Sequence, residues 1–483
     1  MTKQTFFFYD LETSGINPRE QRIMQFAGQR TDLELKPIGD PENHLIKLTA
    51  DIVPEPDAIM LTGITPQQTL TNGMTEVEFL RYFTEKIATP GTIFVGYNTV
   101  RFDDEFMRYL HYRNFYDPYE WQWRDDRSRW DMLDVVRMTR ALRPDGITWP
   151  FAPDGKPSNR LELLTKVNGL DHEMAHDALS DVYATIAVAR LLRSKQQKLF
   201  DYLLTMRDKR AVAKLVETGE AFVYASGQYS SEHEKTTAAV LISKHQQGAF
   251  VYDLRHDPSP YKDMPAAQLA ERWRWKRDAT EPRLPVKLMK YNCCPAVAPL
   301  GVLDEASRER LHLSIETIAK HAKLLKQALE GGFGDRLLEA ADMLQQQRQT
   351  SFLSEEKHVD SQLYDGFFDD HDKTLERAMR AAEPTDIPDI AHDFRDPRLR
   401  TLAPLYKARN FEETLSDEER ASWEAHRAHV LMDGGEKGKL GRYFARLGQL
   451  AEASGQTAEQ QFLLEELQLY GQSILPADAG EQA

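Results

Sequence analysis

Cysteine is almost absent: the 483 residues hold two, Cys293 and Cys294, and they are adjacent. Neighbouring cysteines bridge poorly and give no metal-ligand spacing, so they read as two reduced thiols rather than a disulfide framework or a zinc site. No apolar run approaches the length of a membrane span. The opening MTKQTFFFYD has one lysine and an apolar stretch too short for a secretory signal, so a cytoplasmic location without membrane contact is expected. Internal repeats and low-complexity tracts are missing as well. Positive charge is in deficit, with 61 Lys and Arg against 76 Asp and Glu and a formal net charge of −15. That argues against a general basic coat, so any anionic ligand needs a local basic surface. Such a surface is offered between Trp121 and Arg143, where six arginines (124, 127, 129, 137, 140, 143) face four aspartates and three tryptophans are interspersed. A solvated helix laced with i,i+4 ion pairs is the competing reading of that stretch.

What is present is ordinary for a globular protein: 41% hydrophobic and 28% charged residues. The length exceeds one core and implies two to four domains. Residues 1–195 alternate strand-like and helix-like segments, which predicts an α/β domain. TFFFYDLE reads as the first strand, IMQFAGQRTD and HLIKLT as further strands, and TIFVGYN as another buried strand. Helical patterns fall at TEVEFLRYFTEKI, DDEFMRYLHYR, SNRLELLTKVNG (Ser158 or Asn159 as cap, Gly169 as stop) and DALSDVYATIAVARLLRSKQ. Residues 196–350 turn to short strands separated by Gly, Pro and polar turns, closing with a helix at LSIETIAKHAKLLKQALEG. This predicts a small β-rich domain. Residues 352–475 read as wholly helical.

Three segments carry acids that bear on chemistry. In FFFYDLETSG an apolar strand runs into Asp10 and Glu12, which stand on one face because strand side chains alternate. Side by side they repel, and something must hold them. On this spacing alone the structural reading, acids that cap backbone or pair with arginine, is the better one. In GYNTVRFDDEF a buried strand leads through a polar turn to Asp103 and Asp104 at a helix start, where a capping role would suffice. In AHDALSDVYATIAVA, Asp181 sits one turn into a long helix, five residues after His176. On a continuous helix the two would be about 140° apart, so His176 must lie at or before the helix start if both serve one site.

Taken in order, these segments resemble the three motifs of the DEDD exonuclease superfamily, in the branch marked by histidine. The likeness extends to GITP, GYNTVRFDDE, YRNFYDPY, SRWDMLDVVR, ALRPDGI and MAHDALSDVYATIA. It continues through LFDYLL, PVKL, QLYDGFF and ARNF, so essentially the whole chain resembles the bacterial exodeoxyribonuclease I family. The resemblance implies a ribonuclease H-like nuclease domain, an SH3-like domain and an all-helical C-terminal domain. It implies Mg²⁺-dependent degradation of single-stranded DNA from the 3′ end with release of 5′-mononucleotides, in DNA repair and recombination. Asp10, Glu12, Asp103 and Asp181 would then be the ligands of two Mg²⁺ ions, with Mn²⁺ a possible substitute and Asp10 the bridge. Cations offset the carboxylate repulsion, and two of them stabilise both oxygens of an in-line displacement. His176 would be the general base, a role its near-neutral pKa suits. Asn98 to Asp103 is one residue wider than in proofreading relatives, which keeps Asp104 as an alternative ligand.

A nonspecific single-strand channel needs cations for phosphate and aromatic rings for stacking. At positions matching the family, Arg108, Tyr119, Trp123, Arg137 and Arg160 are the substrate contacts, with Glu12 also facing substrate. Core packing for the two rings and surface ion pairs for the arginines are the structural alternatives. Arg160 opens a helix, where the dipole disfavours a cation, and this favours a phosphate-facing role. The family also implies single-stranded DNA-binding protein as a partner, and a monomer is expected. Arg143 matches one position of that contact, whereas VETGEAF departs from the family where a lysine is expected. Two other functions compete: a proofreading or RNA-trimming exonuclease of the same superfamily, and a nuclease-like module that binds single strands without cutting. About 290 residues beyond the first domain speak against the former. The full set of acids and His176 speaks against the latter.

Overall fold

A computed structural model describes residues 3–170, 177–274, 281–352 (side chains of 348–352 excepted) and 357–476. The first domain is built on five strands: β1 (Thr5–Thr13), β2 (Ile23–Thr31), β3 (Glu42–Leu45), β4 (Thr92–Gly96) and β5 (Ser128–Asp131). Their order is β3-β2-β1-β4-β5. β1 runs antiparallel to β2 and parallel to β4, and β5 runs parallel to β4. Alternation along β1 decides which way its end faces. Phe6 and Phe8 join one core with the Met132–Leu142 and Ala178–Thr205 helices. Phe7, Tyr9 and Leu11 join the opposite, aromatic-rich core with Phe26, Phe79, Phe83, Phe94 and Trp121. Asp10 and Glu12 share the parity of Phe6 and Phe8 and so face the Ala178–Thr205 helix.

The middle domain is an antiparallel sheet of β6 (Phe222–Ala225), β7 (Thr236–His245), β8 (Gly248–Asp253), β9 (Val286–Lys290) and β10 (Ala296–Pro299), ordered β10-β6-β7-β8-β9. It ends on the Ile315–Glu330 and Phe333–Phe352 helices. The core that holds Phe6 and Phe8 continues without a break into this domain through Val223, Ala225, Phe250 and Tyr252. The Ala178–Thr205 helix crosses between the two domains, broken only at Gln196 (φ −135°, ψ 50°). From Asp370 onward the described chain is helical and packs on the first domain twice. Tyr109, Tyr112 and Phe115 meet Phe394, Leu402 and Tyr406 in one cluster, and Met24, Leu48 and Ile52 meet Leu440, Tyr443 and Leu467 in another. Among the described residues no helix is long and apolar enough to cross a membrane.

Between these apolar contacts lies a buried ionic lock. Arg409 binds Asp51 at 2.6 Å and Asp360 at 2.8 Å, Arg22 binds Asp360 at 2.6 Å, and Arg113 binds Glu76 at 2.8 Å. Three arginines thus match three carboxylates, which is the condition for burying charge at tolerable cost.

Four details differ from the sequence reading. The HLIKLT strand stops at Leu45, and Ile46 makes only a single bridge to Met74. The TEVEFLRYFTEKI helix is α only over Glu76–Tyr82 and widens to a π turn at Phe83–Ile87. The Leu161–Val167 helix takes Arg160, not Ser158 or Asn159, as N-cap and receives no side-chain cap, while Gly169 ends the turn at φ +61°. The arginine-rich stretch from Trp121 is not one solvated helix. It breaks into 3₁₀ turns, the buried strand β5 and the largely buried Met132–Leu142 helix, because Trp130, Val135 and Val136 are needed in the core.

Candidate active site

β1 delivers Asp10 and Glu12 at its C-terminal end, and the Ala178–Thr205 helix delivers Asp181 opposite them. Asp177 caps that helix by accepting from the Ser180 N–H at 3.1 Å and is held by Gln25 Nε2 at 3.3 Å. Carboxylate oxygens of Asp10, Glu12 and Asp181 all lie within 4.8 Å of one another. At an effective dielectric of about 20, each fully ionised pair at that separation repels by about 3 kcal/mol. Burial and then the neighbouring charges of Asp103, Asp181 and Asp177 hold the Asp10 carboxyl well above its usual range. Burial, with Asp10 next, pushes Glu12 up to about 9. The cluster therefore demands protons or cations.

Asp103 reaches the same strand end by a different route. At Asn98 the backbone enters the left-handed region (φ 71°). The turn is pinned by Asp131, which accepts from the Asn98 N–H at 3.0 Å and the Val100 N–H at 3.2 Å while capping the Met132–Leu142 helix. The chain then starts the Asp103–Arg113 helix with Asp103 only 3% exposed. Burial, partly relieved by backbone N–H groups, and the charge of Glu12 raise its carboxyl to about 8. Among the described residues its Oδ1, though buried, has no hydrogen-bond partner. Asp103 stands outside the three-carboxylate cluster but acts on it through its charge. An all-oxygen donor set with a free, buried carboxylate oxygen beside it suits a hard divalent cation. Asp104 does not share this role: it accepts from Tyr9 Oη at 2.5 Å and pairs with Arg129, which itself donates to the Asn292 carbonyl. The expected base, His176, lies outside the described residues.

A cleft of about 500 Å³ opens on Asp10 and Asp181 and is lined by Arg137, Arg160, Asn98 and Lys235. Arg137 and Arg160 are thus brought to the acids. Arg137 Nη1 donates to Asp134 at 2.5 Å, and Arg160, 71% exposed at its side chain, pairs with Glu162 at 2.5 Å. Arg108 and Tyr119 form a second group, and neither they nor Trp123 line this cleft. The Arg108 guanidinium lies over the Tyr119 ring at 5.4 Å and pairs with Glu105, which accepts from Tyr364 Oη at 2.6 Å. Trp123 is 64% exposed, so it is not the core residue that its type would suggest. Arg143 pairs with Asp304 at 3.1 Å and donates to the Val302 carbonyl at 2.9 Å, at the seam with the middle domain. Sequence reasoning missed Lys235, whose neighbourhood SSEHEK looks like any polar turn, and Asp131, whose work is done through backbone N–H groups.

Three family models match the chain in succession: "Exonuclease" over residues 7–189, "Exonuclease I SH3-like domain" over 207–340 and "Exonuclease I C-terminal domain" over 357–474. Exodeoxyribonuclease I of Escherichia coli K12 is 37% identical over 480 residues, covering 98% of both chains. That of Haemophilus influenzae is 38% identical over 484 residues, covering 98% of this chain and 99% of its own. Among solved structures, E. coli exonuclease I in complex with a dA16 oligonucleotide superposes with a TM-score of 0.90 at 37% identity, covering 98% of this chain and all of that one. A zinc-ion-bound E. coli ExoI–ssDNA complex and an ExoI/SSB-Ct complex each give 0.89 at 36% identity with the same coverage. On this likeness across all three domains, the chain belongs to the exodeoxyribonuclease I family and is an exodeoxyribonuclease.

Proposed function

We propose that this enzyme hydrolyses single-stranded DNA from its 3′ end, with Mg²⁺, releasing 5′-mononucleotides for repair and recombination. The observation that carries the reading is the cluster of Asp10, Glu12 and Asp181, two of whose acids, Asp10 and Asp181, line a cleft that also holds two arginines. Relatives bound to an oligonucleotide and to zinc support the substrate class and the use of a divalent ion. Asp10, Glu12 and Asp181 would hold the metal, with Asp103 completing the set. Two bound Mg²⁺ ions would stabilise the attacking and leaving oxygens of an in-line displacement. His176 takes the proton of the attacking water. Arg137 and Arg160 grip phosphate near the 3′ end. Tyr119 and Trp123 stack bases further along the strand, with Arg108 alongside. The relative complexed with an SSB C-terminal segment supports single-stranded DNA-binding protein as a partner, with Arg143 in the contact.

A 5′-labelled single strand, a duplex control and an RNA strand, each with Mg²⁺ or EDTA, test the reading. A ladder shortening from the 3′ end only with Mg²⁺, and only on single-stranded DNA, is expected. Preferential trimming of RNA would move the enzyme to the RNA-processing relatives, and tight binding without cutting would leave a binding module. Trp123→Ala should weaken binding to a single strand, measured by anisotropy in EDTA, by about 1–3 kcal/mol. Unchanged affinity and processivity would remove Trp123 from the strand's path.

A further inference from the structure

Lys235 belongs to the middle domain, yet it lines the cleft that opens on Asp10 and Asp181. It ends the connection between β6 and β7, and that connection is tied down on the nuclease domain. Glu234 binds Arg140 at 2.8 Å, and the Lys235 backbone donates to the Ser230 carbonyl at 2.9 Å while its own carbonyl accepts from Ser226 at 2.8 Å. Gly227, in the same connection, lies so close to Arg137 that a Cβ there would be 3.1 Å from the guanidinium. Glu234 and Lys235 are both in the left-handed region, at φ 49° and 55°. Two successive non-glycine residues there carry strain, which the anchored turn sustains.

The charge around Lys235 is unbalanced. Among the described residues no carboxylate lies within ion-pair distance of its ammonium; burial, and then the nearby Arg137, hold its pKa below the ordinary lysine value. Arg137 shares Asp134 with Arg101, and among the described residues its own Nε, though buried, has no hydrogen-bond partner. A half-buried lysine beside an arginine, with no ion pair of its own among the described residues, leaves positive charge in the cleft that an anion would balance.

We propose that Lys235 and Arg137 together form a phosphate site in the active-site cleft, through which the SH3-like domain grips a backbone phosphodiester near the 3′ end of the strand. The proposal rests on the exonuclease reading above and adds a cation from a second domain to the substrate grip. A polypeptide that closes over the strand on this side gains affinity only when the strand is threaded past both domains, so the contact favours ends that are already single-stranded.

The test uses full-length Lys235→Gln and Lys235→Arg with single-stranded oligonucleotides in EDTA, after matched melting curves show both folded. Loss of one phosphate contact should flatten the slope of log affinity against log salt by about 0.7. Lys235→Gln should also weaken binding about tenfold near 0.1 M salt, as expected for one charge-assisted hydrogen bond. Lys235→Arg should keep both the slope and most of the affinity. A strand with one uncharged methylphosphonate linkage, moved stepwise from the 3′ end, should erase the difference between Lys235→Gln and the parent at a single position. Equal affinity and slope for Lys235→Gln, in an enzyme that binds and cuts normally, would overturn the proposal alone. If Lys235→Gln changes inhibition by free 5′-dAMP but not strand binding, the site holds the released phosphate and the strand assignment is wrong. A parent enzyme that neither binds nor cuts single strands would instead fail the exonuclease reading.

Discussion

Asp10→Asn and Asp181→Ala are each expected to slow hydrolysis of single-stranded DNA by at least about 10³-fold, equivalent to about 4 kcal/mol of lost transition-state stabilisation. Binding to the same strand in EDTA should stay within severalfold or tighten, because each change removes a negative charge that faces phosphate. A second readout separates a metal ligand from a merely structural acid. In the parent enzyme Mg²⁺ should raise the melting temperature, since it binds the folded cluster and not the unfolded chain. In Asp10→Asn that increment should shrink, while the metal-free protein melts higher because carboxylates within 4.8 Å no longer repel. Asp104→Asn is the control. Its partners are Tyr9 and Arg129, so it should cost stability and leave the Mg²⁺ increment intact. Near-normal cleavage by Asp181→Ala would sink the metal assignment.

The second large effect is expected far from the cleft. Arg409→Met leaves Asp51 and Asp360 buried with too little positive charge, and breaking a buried pair from one side costs about 3–5 kcal/mol. Burial opposes ionisation of both carboxyls, yet Arg409 and Arg22 outweigh it and hold both below the ordinary carboxylate range. Groups with depressed values stabilise the fold above their unfolded pKa, near 3.8, and that contribution is lost as pH falls through the folded values. The variant runs the other way, since a buried carboxyl without its partner takes up a proton on acidification. The gap between parent and variant should therefore be widest at neutral pH and close toward pH 4 and below. Urea titrations at pH 7.5, 5.5 and 4 measure it. A gap below about 1 kcal/mol at pH 7.5 would show that the apolar contacts, not the lock, hold the C-terminal domain in place.

Legibility in the sequence followed the range of the interaction. β1 and its acids were readable because a continuous apolar run ending in charged residues needs nothing beyond its neighbours, and a helix around Asp103–Arg113 was readable in the same way. The order of an α/β, a β-rich and a helical region showed in texture alone. β5 was hidden because SRWD carries its burial on one tryptophan and on an arginine neutralised by Asp104 from another element. The lock was invisible for the same reason: Arg409 and Asp51 are 358 positions apart, and each alone looks like a surface charge. The grouping of Asp10, Glu12 and Asp181 followed from ordered motifs and resemblance, whereas the approach of Lys235 to Arg137 depends on how two domains dock.

The Ala178–Thr205 helix begins at a carboxylate of the acidic cluster and ends under the neighbouring sheet, inside a core that both domains share. Modularity stops there. A chimera spliced near residue 195, joining this nuclease domain to the later domains of a relative, would cut through the helix and mismatch packing on both sides at once. Grafts in this family should instead carry residues 5 to about 345 as one block. The natural seam for exchanging parts is the join before the C-terminal domain, where the described contacts to be re-matched include two apolar patches, the buried lock, the Arg446–Asp57 pair and the Tyr364–Glu105 hydrogen bond.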